Sequence, residues 1–421
     1  MPERLAAGAR LCSGQLSFKI AKVGLSTTEG AAVAEGLAYQ VLCLLREHGP
    51  LSRVELADRL AVPRARLLSE LARLTDADRV REAGPAASRG GRRSTLIELS
   101  PKHRFGAVDL GATSVRIEVT DRSLDPVAAV EEAVDIRSGP RPVLRVVTEL
   151  LEKLRAEGAY RQLDGLGVGL PGPVSFRDGV PVSPPIMPGW DGFPVRELLA
   201  HEHNCPVVVD NDVNIMAIGE GYGGVARSVE DFLFVKLGTG VGCGIHLGGE
   251  VFRGKDGCAG DIGHMQVVAH GPVCACGNTG CLEAVFGGAA LARDATAAAR
   301  AGRSEALAGR LAAAGTLTAY DVGQAAAAGD ATSVALIRAG GAALGGVLAS
   351  LVSFVNPSMI VIGGGLAGLG HRLLAEVRAV VYGRSLPLAT GNLPLVVSEL
   401  GERAGALGAA KLASDLVFRQ S

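Results

Sequence analysis

The chain has 421 residues, 48 % apolar and 20 % charged, with a net charge of −1. That is too long for one ordinary core, so two or three globular domains are expected. Aromatic residues make up only 4 % against 58 glycines, which suits tight turns and close helix packing better than a stacking surface for bases. The charge is uneven: residues 36–104 hold thirteen Lys/Arg against eight Asp/Glu, a local +5 that leaves −6 for the remainder. A modestly basic module on an acidic body fits a nucleic-acid contact, and fits a solvated charged face as well.

Residues 1–30 show no periodicity and read as a flexible arm without the apolar core of a signal peptide. No apolar run reaches the length of a membrane span, "ALGGVLASLVSFV" being too short. A cytoplasmic protein with no membrane partner is the expectation, and there structural disulfides are disfavoured.

Residues 31–104 predict a winged helix-turn-helix. The first helix places Leu37, Val41, Leu44 and Leu45 on one face and stops at Gly49-Pro50. Ser52 with Glu55 reads as a capping box, and Pro63 starts a third helix. Two strands, "RVREAG" and "STLIELS", then flank a basic turn. In this fold the third helix enters the major groove by its first turn, which here carries Arg64 and Arg66. The wing supplies Arg89, Arg92 and Arg93 for phosphates or the minor groove. Glu70 lies inside the presumed reading helix, which favours DNA contact over detailed base readout.

From Phe105 the pattern becomes α/β. A strand, a glycine turn and a second strand occur at "FGAVDLGATSVRIEVTD" and again at "DFLFVKLGTGVGCGIHLGG". Two related lobes with a cleft between them follow, residues 105–228 and 229–421, the final helix being a candidate to return to the first lobe. Asp109, Gly111 and Thr113 in one turn, Gly238, Thr239 and Gly240 in the other, and Gly364-Gly365 after a buried strand suit a phosphate cradle. Asp109 could hold Mg²⁺ through water. In "VVVDNDVN" the acids cluster at a strand's C-terminal end, where α/β ligands gather. Asp212 there is a candidate general base and Asn211 a candidate orienting group, or both belong to a helix cap.

"GPVCACGNTGCLEA" packs Cys274, Cys276 and Cys281 into eight residues, with His264 ten residues before them. A Cys₃His set suits tetrahedral Zn²⁺, and with all four positions filled by protein the ion would be structural. A redox pair more commonly reads C-x-x-C. Cys12, Cys43, Cys205, Cys243 and Cys258 read as small buried apolar residues.

The hairpins, "NDVN", "AGDIGH", "CACGNTGCLE" and "NPSMIVIGGG", kept in order from Phe105 to Ala410, resemble the ROK family of repressors, open reading frames and kinases. The winged helix resembles its repressor branch. The resemblance implies a two-lobed, actin-like, hexokinase-type ATPase fold, often dimeric or of higher order, with a sugar in the cleft. It makes Asp212 the base and Asn211, Asp261, Glu283 and His264 sugar contacts. His264 would also join Cys274, Cys276 and Cys281 on zinc, and Gly111, Thr113, Gly238, Thr239, Gly240, Gly364 and Gly365 would line an ATP site. Two positions depart from the family kinases: Asp261 stands for their Glu and Pro185 for their Asn. Losing a buried hydrogen-bond partner costs about 1–3 kcal/mol, which weighs on turnover. The reading is therefore a sugar-responsive regulator that binds operator DNA. An ATP-dependent sugar kinase is the alternative, and a sugar-binding protein with a vestigial DNA module the third.

Overall fold

The computed structural model describes residues 36–85 and 94–421. Its N-terminal part runs α1 (Leu37–His48), β1 (Leu51–Ser52), α2 (Arg53–Leu60), α3 (Arg64–Asp76), β2 (Val80–Pro85) and β3 (Thr95–Leu99). The three strands form a sheet in the order β1-β3-β2, with β2 and β3 antiparallel. The Ser52 hydroxyl accepts from the Glu55 N–H while the Glu55 carboxylate accepts from the Ser52 N–H, the reciprocal cap that starts α2. Pro63 caps α3. On α1 the buried side chains include Leu37, Val41, Leu42 and Leu45, with Leu44 only half-buried. Arg46 is buried as well, because α1 has a second covered face. Of the wing arginines, Arg89, Arg92 and Arg93 lie outside the described residues, as does the 1–30 arm.

The first lobe contains β4 (Phe105–Leu110), β5 (Ser114–Thr120), β6 (Pro126–Ala133), α4 (Pro140–Ala156), β7 (Gly165–Leu170), β8 (Val174–Ser175), β9 (Val180–Pro181), α5 (Val195–His203), β10 (Val207–Asn211) and α6 (Asp212–Gly223). Its sheet has the order β10-β7-β4-β5-β6: an antiparallel meander β4-β5-β6 followed by two parallel strands. All six residues of β7 are buried, as expected of a parallel strand covered on both faces. Helix α4 covers one face with Val143, Leu144, Val147, Leu150, Leu151 and Leu154 at helical spacing.

The second lobe repeats the plan. It contains β11 (Phe232–Leu237), β12 (Val241–Leu247), β13 (Glu250–Val251), α7 (Leu282–Phe286), α8 (Gly288–Arg300), α9 (Glu305–Ala314), α10 (Ala319–Ala327), α11 (Ala331–Val355), β14 (Met359–Gly363), α12 (His371–Arg384), α13 (Pro387–Thr390) and β15 (Leu395–Val397). The order β13-β12-β11-β14-β15 is again a meander plus two parallel strands. Here one expectation is corrected. The apolar run judged too short for a span belongs to the 25-residue α11, which is long and apolar enough to cross a membrane. Its Ile337, Leu344, Leu348 and Val352 instead lie in the lobe's core, and it packs along α12.

The last helix, α14 (Arg403–Arg419), packs against β4, β7 and α6 of the first lobe. Glycines permit the approach: a Cβ on Gly167 would lie 1.9 Å from the Ala409 carbonyl oxygen, and one on Gly408 1.7 Å from that of Ile215. The other side of α14 receives α1, so the winged helix, α14 and the first sheet share one apolar cluster. At its centre Arg46 stands 2.8 Å from Asp415 and donates to the Ser414 hydroxyl at 2.7 Å. Its guanidinium also lies over the rings of Tyr222 and Phe418. A second tie joins Arg122, on the β5–β6 turn, to Glu98 of β3 at 2.7 Å.

Candidate functional site

Strand β10 delivers its C-terminal end to the cleft and turns directly into α6. Asn211 caps this helix: its Oδ1 accepts from the Val213 N–H at 2.9 Å, and its Nδ2 donates to the Gly172 carbonyl at 2.7 Å. The cap reading of Asn211 is therefore realised, although the residue still lines the cleft. Asp210 is spent on structure. It accepts from the Asn214 amide and from both Nε and a terminal nitrogen of Arg253, whose guanidinium stacks 4.0 Å from the Phe176 ring. Arg253 follows β13, so this cluster ties the lobes. Asn214 Oδ1 is buried with no partner among the described residues, and Asn214 also lines the cleft.

Asp212, the first residue of α6, is buried and hydrogen-bonded to the Lys236 ammonium. Lys236 lies in β11 just before the second glycine turn. Burial pulls its pKa down, but Asp212 and Asp109 outweigh that and hold it charged.

On the facing wall Glu283, in α7, accepts from the Val241 N–H at 3.1 Å. Gly240 makes room for it, since a Cβ there would lie 2.1 Å from the Glu283 carboxylate. Gly240 thus lines the inner chamber beside Glu283. Pro185, Asp261 and His264 complete that chamber, with His264 Nε2 3.9 Å from Asp261. Cys258 lines it too and is exposed, which corrects its reading as a buried apolar residue. Cys205 and Cys243 are buried and Cys43 half-buried, while Cys12 lies outside the described residues.

The other ring nitrogen of His264 faces the cysteines. Nδ1 lies 3.5 Å from Cys274 Sγ, and Cys276 Sγ lies 3.8 Å from Cys281 Sγ. All four ligand atoms fall within 4.8 Å of one another. A tetrahedral ion with Zn–S of about 2.3 Å and Zn–N of about 2.0 Å would separate its ligands by roughly 3.5–3.8 Å. These four residues fit such an ion, and a disulfide at about 2.05 Å is excluded for the pair described. The loop closes through the bond from the Cys274 N–H to the Asn278 carbonyl, at 2.7 Å, and through Gly280, where a Cβ would meet the Val268 carbonyl at 1.7 Å.

An outer chamber opens on the far side of Lys236. Asp109, Gly111, Thr113, Gly238, Thr239, Gly364 and Gly365 line it. The Gly111 N–H bonds the Ser114 carbonyl and the Gly238 N–H bonds the Gly240 carbonyl, so these two amides close their turns. Burial pushes the Asp109 carboxyl up to about 6, against the lowering charge of Lys236.

On α3, Arg64 and Arg66 are exposed and form no ion pair among the described residues. The Glu70 carboxylate accepts from Arg73 one turn on, at 3.0 Å, which offsets its charge. Sequence reasoning passed over Lys236, Arg253 and Arg46, and counted Asn214 in the cluster after β10 without giving it a role. For Lys236 the signal was a lone charge in the otherwise apolar "FLFVKL".

The sequence pattern of the ROK family matches residues 105–416. A glucokinase of Halalkalibacterium halodurans is 34 % identical over 308 residues, covering 72 % of this chain and 93 % of that protein. The xylose repressor of Caldicellulosiruptor bescii is 28 % identical over 384 residues, 90 % of this chain and 95 % of its own. A solved ROK transcriptional regulator, a homologue of the Escherichia coli Mlc protein, superposes with a TM-score of 0.77 at 26 % identity, covering 91 % of this chain and 96 % of the other. At 90 % and 91 % coverage the repressor and the regulator both reach into the segment before residue 105, where the family pattern begins. Two duplicated α/β lobes, a cysteine-rich loop beside the cleft and a match over most of the chain lead to one statement: this protein belongs to the ROK family.

Proposed function

We propose that this chain is a sugar-responsive transcriptional regulator. Operator DNA would be bound through α3 and the wing, and a sugar or sugar derivative through Asp212, Asn211, Asp261, Glu283 and His264. The observation that carries the reading is continuity. Asp212 opens α6, α6 packs along α14, and α14 shares a core with α1 of the winged helix. A ligand that shifts α6 has a short physical route to the DNA-binding helices, so it changes operator affinity by favouring one of two arrangements.

His264, Cys274, Cys276 and Cys281 would hold a structural zinc that fixes the loop aiming His264 and Glu283. A homodimer or higher homo-oligomer belongs to the same reading, its paired winged helices meeting two operator half-sites. DNA from the chain's own upstream region, titrated with and without a hexose and amino-sugar panel, tests the function. Retardation that one sugar alters at least about tenfold is expected. No retardation at low salt overturns the reading.

Asp212 and the 34 % identical glucokinase favour a second reading, an ATP-dependent sugar kinase with Asp212 as the base toward a sugar hydroxyl. A coupled assay on the same panel tests it: turnover at about 1–10³ s⁻¹, lost in Asp212→Asn, would make it the primary role.

A further inference from the structure

The two lobes share a register as well as a strand order. In β4 the sequence Val108-Asp109-Leu110 runs into Gly111, and in β11 Val235-Lys236-Leu237 runs into Gly238. Asp109 and Lys236 are each the penultimate residue of the central strand of their sheet. Asp109 pairs with Arg116 and Gly169, and Lys236 with Gly242 and Gly363, on the corresponding neighbours. Duplication has therefore put an acid and a base at equivalent positions facing one cleft. Among the described residues Lys236 is the one with a cationic side chain that lines both chambers, and it bonds Asp212 in the inner one.

A nucleotide bound with a divalent cation would need Asp109 free to hold that cation, directly or through water. The residues present do not fit this. The Lys236 ammonium is already bonded to Asp212 and its charge also acts on Asp109, and a second cation beside it would be repelled. We propose that Lys236 is a specificity-determining residue of the cleft: its ammonium takes the place of a nucleotide-bound divalent cation at the junction of the chambers. It keeps the site a receptor that discriminates against metal-chelated nucleoside triphosphates. The Asp212–Lys236 bond also commits one oxygen of the candidate base, so the same residue restrains phosphoryl transfer.

The inference rests on the sugar-receptor reading only for the inner chamber, and its test separates the two. AMPPNP binding to the full-length chain is measured by calorimetry with and without Mg²⁺, for wild type, Lys236→Met, Lys236→Thr and Lys236→Arg. The wild type and Lys236→Arg should bind AMPPNP no more than about twofold better with Mg²⁺, or undetectably in both conditions. Lys236→Met and Lys236→Thr should gain at least about tenfold from Mg²⁺. A merely structural lysine would lower the melting temperature without creating this metal dependence, so folded variants with no gain overturn the proposal. A tenfold Mg²⁺ gain in the wild type overturns it without any variant. Thermal shifts with the sugar panel are read in parallel. If no sugar stabilises the wild type, the receptor reading fails while the nucleotide result stands.

Discussion

The first lobe carries Asp109, and the second Lys236, one residue before the end of its central strand, and around these equivalent points the lobes carry different loads. Onto the first sheet the chain folds α14, and onto α14 the winged helix, with small residues against β7 and a buried Arg46–Asp415 pair. The second lobe holds the cysteine loop, with Glu283 two residues after Cys281. One scaffold, used twice, thus gives an output side that carries the DNA-binding module and a ligand side that carries the cysteine loop, with the proposed sugar contacts drawn from both lobes. The lesson is that asymmetry of function here comes from what is attached to each sheet, the sheets themselves being alike.

The sharpest way to break the comparison is to damage the ligand side alone. If the Cys₃His set holds the proposed zinc, Cys281→Ser should remove it, measured as a fall from about one ion per chain to none. Structural zinc sites in small peptides are worth about 10–16 kcal/mol, so the loop should lose its order. The sugar-induced thermal shift should vanish while DNA retardation survives. A chelator should act in the same order, and equal loss of sugar response and DNA binding would count against the division.

The next largest effect damages the output side. Arg46→Ala strands Asp415 in the interface with Lys411 as its remaining cation, at 2.6 Å. Removing one partner of a buried pair costs about 3–5 kcal/mol, readable by urea unfolding. Arg46→Met combined with Asp415→Leu should recover most of it. A loss under about 1 kcal/mol in the single variant would show that the junction is solvated. The pair also sets a pH limb. Burial raises the Asp415 pKa, but Arg46 and Lys411 bring it below its usual value. A depressed carboxylate contributes stability above its unfolded pKa of about 3.9, and this is lost as the pH falls through the lower folded value. Wild-type acid unfolding should therefore steepen below about pH 4, and Arg46→Ala should flatten that limb.

Much of this organisation was legible in the sequence. The capping box at Ser52 and Glu55, the two glycine hairpins and the Cys₃His set are local patterns whose chemistry is fixed by spacing. What escaped was set by distant contacts. Arg403 of α14 bonds Glu118 across 285 positions, and Arg46 meets Asp415 across 369, so neither α14's seat nor the buried face of α1 is written locally. Helix α11 was underestimated because arginine and paired glycines interrupt its apolar run without ending the helix. Cys258 looked like core by composition but sits in a loop at the cleft, where sequence carries no period to read. Lys236 was overlooked because one charge in an apolar strand resembles an edge residue until the opposite lobe is in place.

A smaller effect sharpens the ligand side. Glu283→Gln keeps the bond from the Val241 N–H but removes the charge, and should weaken the sugar by about 1–3 kcal/mol in calorimetry. DNA affinity without sugar should not change.

The smallest expected effect lies at the far end of the output side. Arg64 and Arg66 are exposed on the first turn of α3 with no acidic partner among the described residues. Each is free to give its charge to a phosphate or a base edge. A phosphate contact releases counterions, so each Arg→Ala change should reduce the slope of log K against log salt by about 0.9. A base contact would leave the slope nearly unchanged and relax the preference for one operator position by about 1–3 kcal/mol. Salt titration on operator and scrambled DNA separates these outcomes residue by residue. Because the Glu70 charge is already met by Arg73, Glu70→Gln should move neither quantity. A change there would mean that Arg73 leaves Glu70 when DNA binds, and the output side would then extend a full turn further along α3.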